Sequence, residues 1–332
     1  MSSQDSLEET VAPFLTLRGV IVLPIATLLS ELLIYGMYMI IFGLCMYICY
    51  HQDSTGLRFY LVCTILLFAT ASVYVALDIL GTTRQAVIEF HAAKTQDFNP
   101  LIKYLYQDTL KTVWAATTSF AAMFMNALAD VMLIHRCYVL WGFSKIVLFT
   151  LGSVGIILNG ISLAMSFMTS IGASDFSKFQ DVLHIGVKID HGNQIAVAVF
   201  NMILSLLAAG RIWWISHEAR QHMGMSTHAR YHEIVTIILE SGLLFPTATI
   251  AAVMVPMILD PGSQGIIPID LGSIALLMAG LAPTLIIVRV AYRKSVDSVQ
   301  QVVSIHLAGC ESQQEAGNRA LQTALNIHSS PI

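Results

Sequence analysis

Charged residues are scarce in this chain. Only 11% of its 332 residues are Asp, Glu, Lys or Arg, and 56% are apolar, whereas a soluble protein usually carries roughly a quarter charged residues. A water-soluble globule of this size could not hide so much apolar surface, so we expect the lipid bilayer to surround much of the chain. The formal net charge is −4, so we expect no nucleic-acid partner.

The motifs of several enzymes and cofactor proteins are also missing. The five cysteines lack the spacing of metal ligands. There is no GxSxG elbow and no phosphate-binding loop, and the last apolar segment has no lysine that could hold retinal as a Schiff base. We therefore expect no catalytic constellation, no bound metal and no cofactor, although an enzyme is retained below as an alternative.

Seven apolar segments are each long enough to cross a bilayer, which takes about 20 residues. The predicted spans are 19–48, 59–80, 112–134, 146–171, 194–216, 234–258 and 271–292. They predict an all-α, seven-transmembrane-helix bundle over residues 19–292. A short N-terminal segment (1–18) precedes the bundle. A polar tail (293–332) follows it, and we expect the tail to be largely disordered after a short amphipathic helix at its beginning.

Lysine and arginine are distributed unequally over the two ends of this bundle. Seven of the 17 lie with the N-terminus and the second, fourth and sixth connections, and ten lie with the other connections and the tail. Because cytosolic connections carry the excess of Lys and Arg, we expect the N-terminus outside and the C-terminus in the cytosol. All five cysteines then fall in the cytosolic half or the tail, where thiols stay reduced. We expect a multi-pass protein of the plasma membrane.

Polar residues inside membrane spans are costly and usually face the bundle interior. The outer set consists of Glu31 and Asp78, with Asn201 nearby. These three residues are the predicted ligand-binding residues, in a cavity that opens to the outside. The alternative for Glu31 is a satisfied structural carboxyl.

A second, inner set is predicted nearer the cytosolic end. It comprises Asn126, Asp130, Arg136, Arg211, Glu240 and Arg289. Asn126 and Asp130 are four residues apart and share one helix face. We expect Asp130 and Glu240 to pair with arginines of neighbouring helices, first of all Arg289 and Arg136. Such a network either fixes the bundle geometry or acts as a lock that breaks on activation.

Five short motifs occur together in this chain. They are ELLIYG (31–36), ADVMLIHRCYVLW (129–141), GRIWWIS (210–216), ES (240–241) and LIIVRV (285–290). The combination resembles a large family of seven-helix integral membrane proteins from mushroom-forming (basidiomycete) fungi, over most of the chain. The resemblance implies the fold and a shared polar skeleton at six positions, which are Glu31, Asp130, Arg136, Arg211, Glu240 and Arg289. It implies no activity, because the family has no assigned molecular function that we know of. One departure is Trp214, where an Arg often follows the Arg-Ile-Trp run.

A more distant likeness is to G-protein-coupled receptors. Seven helices, Arg136 at the end of the third span and Pro246 in the sixth fit that pattern. The segment His135-Arg136-Cys137 lacks the usual acid before the arginine, and the predicted external connections have no cysteine for a disulfide. This likeness is at the level of the fold, which does not determine function.

These observations leave three function classes open. The first is a receptor or sensor with an external small-molecule ligand and a cytosolic effector on the third and fifth connections. The second is a small intramembrane enzyme of the terpenoid-cyclase type that uses buried carboxyls such as Glu31, Asp78 or Glu240. The third is a transporter, which needs a continuous polar path between the outer and inner sets, although no internal repeat is visible.

Overall fold

The computed structural model describes residues 18–51, 57–95, 97–174, 176–223, 235–236, 239–259, 267 and 269–289. Its helices, in chain order, are α1 (Leu23–His51, after a π-helical turn at Arg18–Val22), α2 (Leu57–Thr95), α3 (Asn99–Gln107), α4 (Thr109–Leu140), α5 (Lys145–Ser174), α6 (Phe176–Met223), α7 (Leu244–Leu259) and α8 (Leu271–Arg289). Among these described residues, seven helical segments are long and apolar enough to cross a membrane, and the sixth of them is Leu239–Leu259. The prediction of an all-α seven-helix bundle is therefore confirmed.

The chain divides into two compact units, Met1–Ile287 and Val288–Ile332. The first contains the helices from α1 to Ile287 in α8. The second is described only at Val288 and Arg289, the last described residues of α8. Most of the N-terminal segment and the tail, with its predicted amphipathic helix, lie outside the described residues.

Two helices extend far beyond the predicted spans. α2 continues to Thr95 instead of ending near residue 80, and α6 begins at Phe176 instead of near residue 194. The second and fourth connections are therefore mainly helical, and the short α3 lies between α2 and α4. Hydropathy detects only the apolar length of a helix. The polar stretches beside these two spans, residues 81–95 and 176–193, contain no proline, so the helix can continue through them.

The end of α4 is a left-handed turn. Gly142 has a φ of 65°, and its N–H donates to the Val139 carbonyl at 3.1 Å. The next N–H, of Phe143, donates to the Tyr138 carbonyl at 3.0 Å, and the two rings pack edge to face with centroids 5.3 Å apart. These are the two hydrogen bonds and the apolar contact of a Schellman motif, which ends α4 after Leu140 and turns the chain into α5.

The opposite end of α4 is held by Asp108. Its side chain accepts hydrogen bonds from the N–H groups of Leu110 and Lys111, at 2.9 and 3.3 Å, and it pairs with Arg84 of α2 at 2.6 Å. Burial tends to raise the pKa of Asp108, but the hydrogen bonds from Arg84 and the two N–H groups outweigh burial and hold it below its ordinary value. Burial raises the pKa of Tyr104, which stacks under Arg84, to about 12. Asp108 is thus both the N-cap of α4 and its tie to α2.

Apolar side chains cover the outward faces of the helices. Ile156 is 75% exposed and Phe149 is 73% exposed, both on α5. A soluble protein does not expose continuous apolar surface of this kind, so these faces contact lipid. In α8, by contrast, 67% of the apolar stretch is buried, against 6% in α5. Close approach explains part of this burial, because a Cβ on Gly280 would lie 2.9 Å from the Tyr38 hydroxyl of α1.

Candidate functional site

A cavity of about 350 Å³ lies between α2, α4, α5, α6, α7 and α8. Its lining comes from the first half and middle of α4, the second half of α5 and the first half of the α6 span. It therefore lies in the half of the bundle that carries the second and fourth connections. The volume is at the small end of the range of about 300–1,000 Å³ found for ligand sites.

One turn of α6 supplies the most polar part of the lining, with Asp190, Asn193 and Gln194. The Asp190 carboxyl accepts a hydrogen bond from the Gln194 amide at 2.7 Å. The Asn193 amide nitrogen donates to the Ser162 hydroxyl at 2.7 Å. The predicted fifth span begins only at residue 194, so Asp190 and Asn193 fall in the predicted fourth connection, and neither is a predicted site residue.

The orientation of the Asn193 amide follows from its neighbour. Ser162 donates its single hydroxyl proton to the Leu158 carbonyl at 3.1 Å, so its oxygen can only accept from Asn193. The Asn193 Oδ1 atom is then left buried without a hydrogen-bond partner among the described residues. A buried acceptor of this kind costs about 1–3 kcal/mol unless a donor reaches it.

Of the six described hydroxyl side chains that line the cavity, all but Ser119 donate their protons elsewhere. Ser166, Thr169 and Thr249 each donate to the carbonyl four residues earlier in their own helix, at 3.0, 2.9 and 3.0 Å. Tyr74 donates to the Ser273 hydroxyl at 3.3 Å. Ser and Thr in helices commonly bond back in this way, and their oxygen lone pairs remain available. The lining is therefore rich in acceptors.

Three acids gather beside this cavity, at the same end of the bundle. The Glu31 side chain of α1 is fully buried. Neither of its oxygens receives a hydrogen bond from a donor group of the described residues. Its electrostatic neighbours are the carboxyls of Asp78 and Asp270, so three acids lie close together without a described cation between them. Asp78 also accepts from Ser273 at 3.4 Å, and Ser273 is the partner of the cavity residue Tyr74.

The three residues of the outer set therefore do not lie at one place. Glu31 and Asp78 meet, and Asp270, which precedes α8, was missed because it lies outside the predicted span. Asn201 lies elsewhere, beside Asp130, where its amide donates to the Val197 carbonyl at 3.1 Å. Glu31, Asp78 and Asn201 are not among the described residues that line the cavity.

The structure corrects the predicted ion pair of Asp130. This carboxyl is 2% exposed, and its Oδ2 atom accepts a hydrogen bond from the Asn159 amide of α5 at 2.8 Å. No arginine of the described residues forms a salt bridge with it. The predicted partner Arg136 lies instead over the Tyr60 ring of α2, 5.6 Å from its centroid. A neutral amide leaves less charge to desolvate than an arginine, so it is a less costly partner in an apolar interior.

The remaining members of the inner set have separate positions. Asn126 lines the cavity, and its Oδ1 atom is buried without a described partner. Arg211 of α6 donates to the Leu140 carbonyl at 3.4 Å and lies over the Trp141 ring, so it places a cation at the negative end of α4. Glu240 is exposed on the sixth span. Arg289 belongs to the second compact unit, so its pairing with Glu240 stays a prediction.

Comparisons with other proteins give no relative. No profile of a protein family, no curated protein and no solved structure matches this chain. The resemblance to the fungal seven-helix family stays a prediction. Within the described residues, no group of three or more His, Cys, Asp or Glu side chains could hold a metal ion. The seven apolar helices of the described residues identify the chain as an integral membrane protein.

Proposed function

We propose that this chain is a receptor- or sensor-like protein of the plasma membrane that binds a small molecule in the cavity between α2, α4, α5, α6, α7 and α8. The observation that carries the proposal is the unpartnered Asn193 Oδ1 atom at a cavity of about 350 Å³. A ligand with a hydrogen-bond donor recovers the cost of that buried acceptor. Asn126 presents a second acceptor of the same kind.

Ligand binding would act on the helices that share the cavity. Phe245 and Thr249 of α7 line it, directly beside Pro246. The helix of the sixth span is interrupted at Leu243, and such interruptions are places where a helix can change direction at low cost. A ligand that prefers one arrangement of α7 shifts the population of the bundle by its difference in affinity. The basic third and fifth connections are the expected contacts of a cytosolic effector.

The test is a ligand screen by thermal unfolding of the full chain in lipid nanodiscs, with a chemically diverse small-molecule library. Ala122→Phe should fill the cavity, because Ala122 lines it. Val131→Phe, on the same helix and 48% exposed to lipid, is the matched control. We expect hits that stabilise the wild type and Val131→Phe but not Ala122→Phe. A library without hits, or hits that Ala122→Phe retains, would overturn the proposal.

The Glu31–Asp78 pair supports a second candidate, an intramembrane enzyme or a proton-coupled transporter. A carboxyl inside the bundle that can take up and release a proton, as the buried Glu31 beside Asp78 could, is what either activity needs. Glu31→Gln separates the candidates. We expect this variant to bind the ligand at the cavity in every case. If the chain is an enzyme or a transporter, the wild type converts or transports the bound compound and Glu31→Gln does not; if it is a receptor, neither does.

A further inference from the structure

We infer that the ligand of the cavity is a small amine, bound as its ammonium ion and carrying an apolar body. The inference rests on the proposed ligand-binding function and adds the chemical class of the ligand. It follows from three properties of the lining, which are its unpartnered acceptors, the sign of its charge and the position of its apolar wall.

The lining holds two buried acceptors that no described donor reaches, the Oδ1 atoms of Asn193 and Asn126. Asn193 Oδ1 is a buried acceptor whose orientation is fixed through Ser162. The hydroxyls of Ser166, Thr169 and Thr249 already donate to their own helices, so they face a ligand with lone pairs. An ammonium group offers up to three donors and no acceptor, which matches this arrangement. A carboxylate or phosphate ligand offers only acceptor oxygens, so it could not form hydrogen bonds with these groups.

The charge of the lining has one sign. Asp190 lies one helical turn from Asn193 on the same face of α6, and both residues line the cavity. No Lys, Arg or His is among the described lining residues. The sequence neighbours Lys188 and His191 are exposed and are not among them. A cation beside Asp190 stabilises the ionised carboxylate and forms a charge-assisted hydrogen bond.

Apolar side chains of four helices other than α6 line the rest of the cavity. Met123 comes from α4, Met165 from α5, Phe245 from α7 and Leu276 from α8. A ligand whose ammonium group lies at Asp190 and Asn193 therefore has room for an aliphatic or aromatic body among these side chains. Aromatic and Met side chains make favourable contacts with such a body.

Three matched probes test this class. They are 2-phenylethylamine, 2-phenylethanol and 3-phenylpropanoate, which carry similar bodies with a cationic, a neutral and an anionic head. The measurement is the thermal unfolding midpoint of the full chain in nanodiscs against probe concentration. We expect 2-phenylethylamine to bind at least about 10-fold more tightly than the alcohol, because hydrogen bonds to charged groups contribute about 1.5–3 kcal/mol. We expect no binding of the acid.

Two substitutions assign the binding to Asp190. Asp190→Asn keeps the shape and can still accept from Gln194, and we expect it to remove the preference for the amine over the alcohol. Glu218→Gln is the charge-matched control, because Glu218 is exposed on the same helix and lies about 42 Å away by helical rise. Since amphiphilic amines also enter lipid, binding counts only if Ala122→Phe loses it and Val131→Phe keeps it.

The outcomes separate the inference from the proposed function. Loss of the amine preference in Asp190→Asn alone supports the inference. If the alcohol or the acid binds as tightly as the amine, or if Asp190→Asn keeps the preference, the inference is overturned, while binding that Ala122→Phe abolishes still supports a ligand cavity. If 2-phenylethylamine does not bind the wild type, the inference is also overturned, and the library screen alone decides the proposed function.

Discussion

The Ser205 hydroxyl of α6 donates a hydrogen bond to the main-chain oxygen of Gly242 at 3.2 Å. In an uninterrupted helix that oxygen would accept from residue 246, but Pro246 has no N–H to donate. Ser205 of α6 therefore provides the hydrogen bond that the Gly242 carbonyl oxygen lacks because of Pro246. Pro246, expected inside the helix, lies in the first turn of α7, and the proline in the helix interior is Pro256. The Ser205 hydroxyl of α6 thus stabilises the interruption that Pro246 causes in the sixth span.

Gly242→Ala should destabilise the bundle. A Cβ at this position would lie 2.6 Å from the Ser205 Oγ atom and 2.9 Å from its Cβ, and overpacking of this kind costs about 1–3 kcal/mol. Thermal unfolding in nanodiscs measures the loss. Ser205→Gly in the same chain should recover part of it. Gly210→Ala is the control, because a Cβ there meets nothing within 4 Å. Equal stability of the two alanine variants would show that the contact is absent.

Asn159→Leu should destabilise the chain because it removes the donor to Asp130. A buried carboxyl without its hydrogen bond costs about 1.5–3 kcal/mol. Double-mutant cycles of unfolding free energy test the partner. We expect Asp130→Asn to couple with Asn159→Leu and to be additive with Arg136→Gln to within about 0.5 kcal/mol. A coupling of Asp130 to Arg136 as large as that to Asn159 would restore the ion-pair network.

The fold was predictable because apolar length alone specifies a membrane span. All seven spans were found, and Glu31 and Asp78, which the prediction placed in one set, are electrostatic neighbours. The partner of Asp130 was not predictable, because an asparagine in an apolar segment gives no charge pattern to read. Asp190 and Asn193 were missed because the polar residues before 194 lower the hydropathy there, although α6 continues through them. Cavity residues in such polar helical stretches need coordinates to be recognised.

Asp108 should make stability depend on pH below neutrality. Its pKa is lowered in the folded chain, so its contribution is fully present above the unfolded value of about 3.9 and is lost as pH falls through the folded value. The N-cap contributes about 1 kcal/mol, and the pair with Arg84 adds little because Arg84 is 40% exposed. Asp108→Ala should therefore be less stable than the wild type at pH 7. The difference should shrink as pH falls through the folded value, because the protonated carboxyl keeps an acceptor oxygen but loses its charge. A difference independent of pH would show that the ionised carboxylate contributes nothing beyond the neutral cap.

Glu31→Gln should stabilise the chain. The substitution removes one of three neighbouring acids and supplies an amide that can donate to Asp78, whereas the native carboxyl receives no hydrogen bond from a described donor. We expect a gain of about 1–3 kcal/mol in unfolding free energy. Glu218→Gln, at an exposed position, should leave it unchanged. If Glu31→Gln lowers stability, the carboxyl has a partner that compensates its burial.

The orientation of the bundle can be read with single cysteines. Asp97, between α2 and α3, and Lys145, at the start of α5, are exposed at opposite ends of the bundle. In a chain whose native cysteines are replaced by Ser, a membrane-impermeant maleimide should label Asp97→Cys in intact cells and Lys145→Cys only after permeabilisation. The cavity lies in the half nearer Asp97, so this pattern places it towards the outside, where an external ligand can reach it. The reverse pattern would place the cavity towards the cytosol and would overturn the proposal of a receptor for an external ligand, because the amine would then have to come from inside the cell.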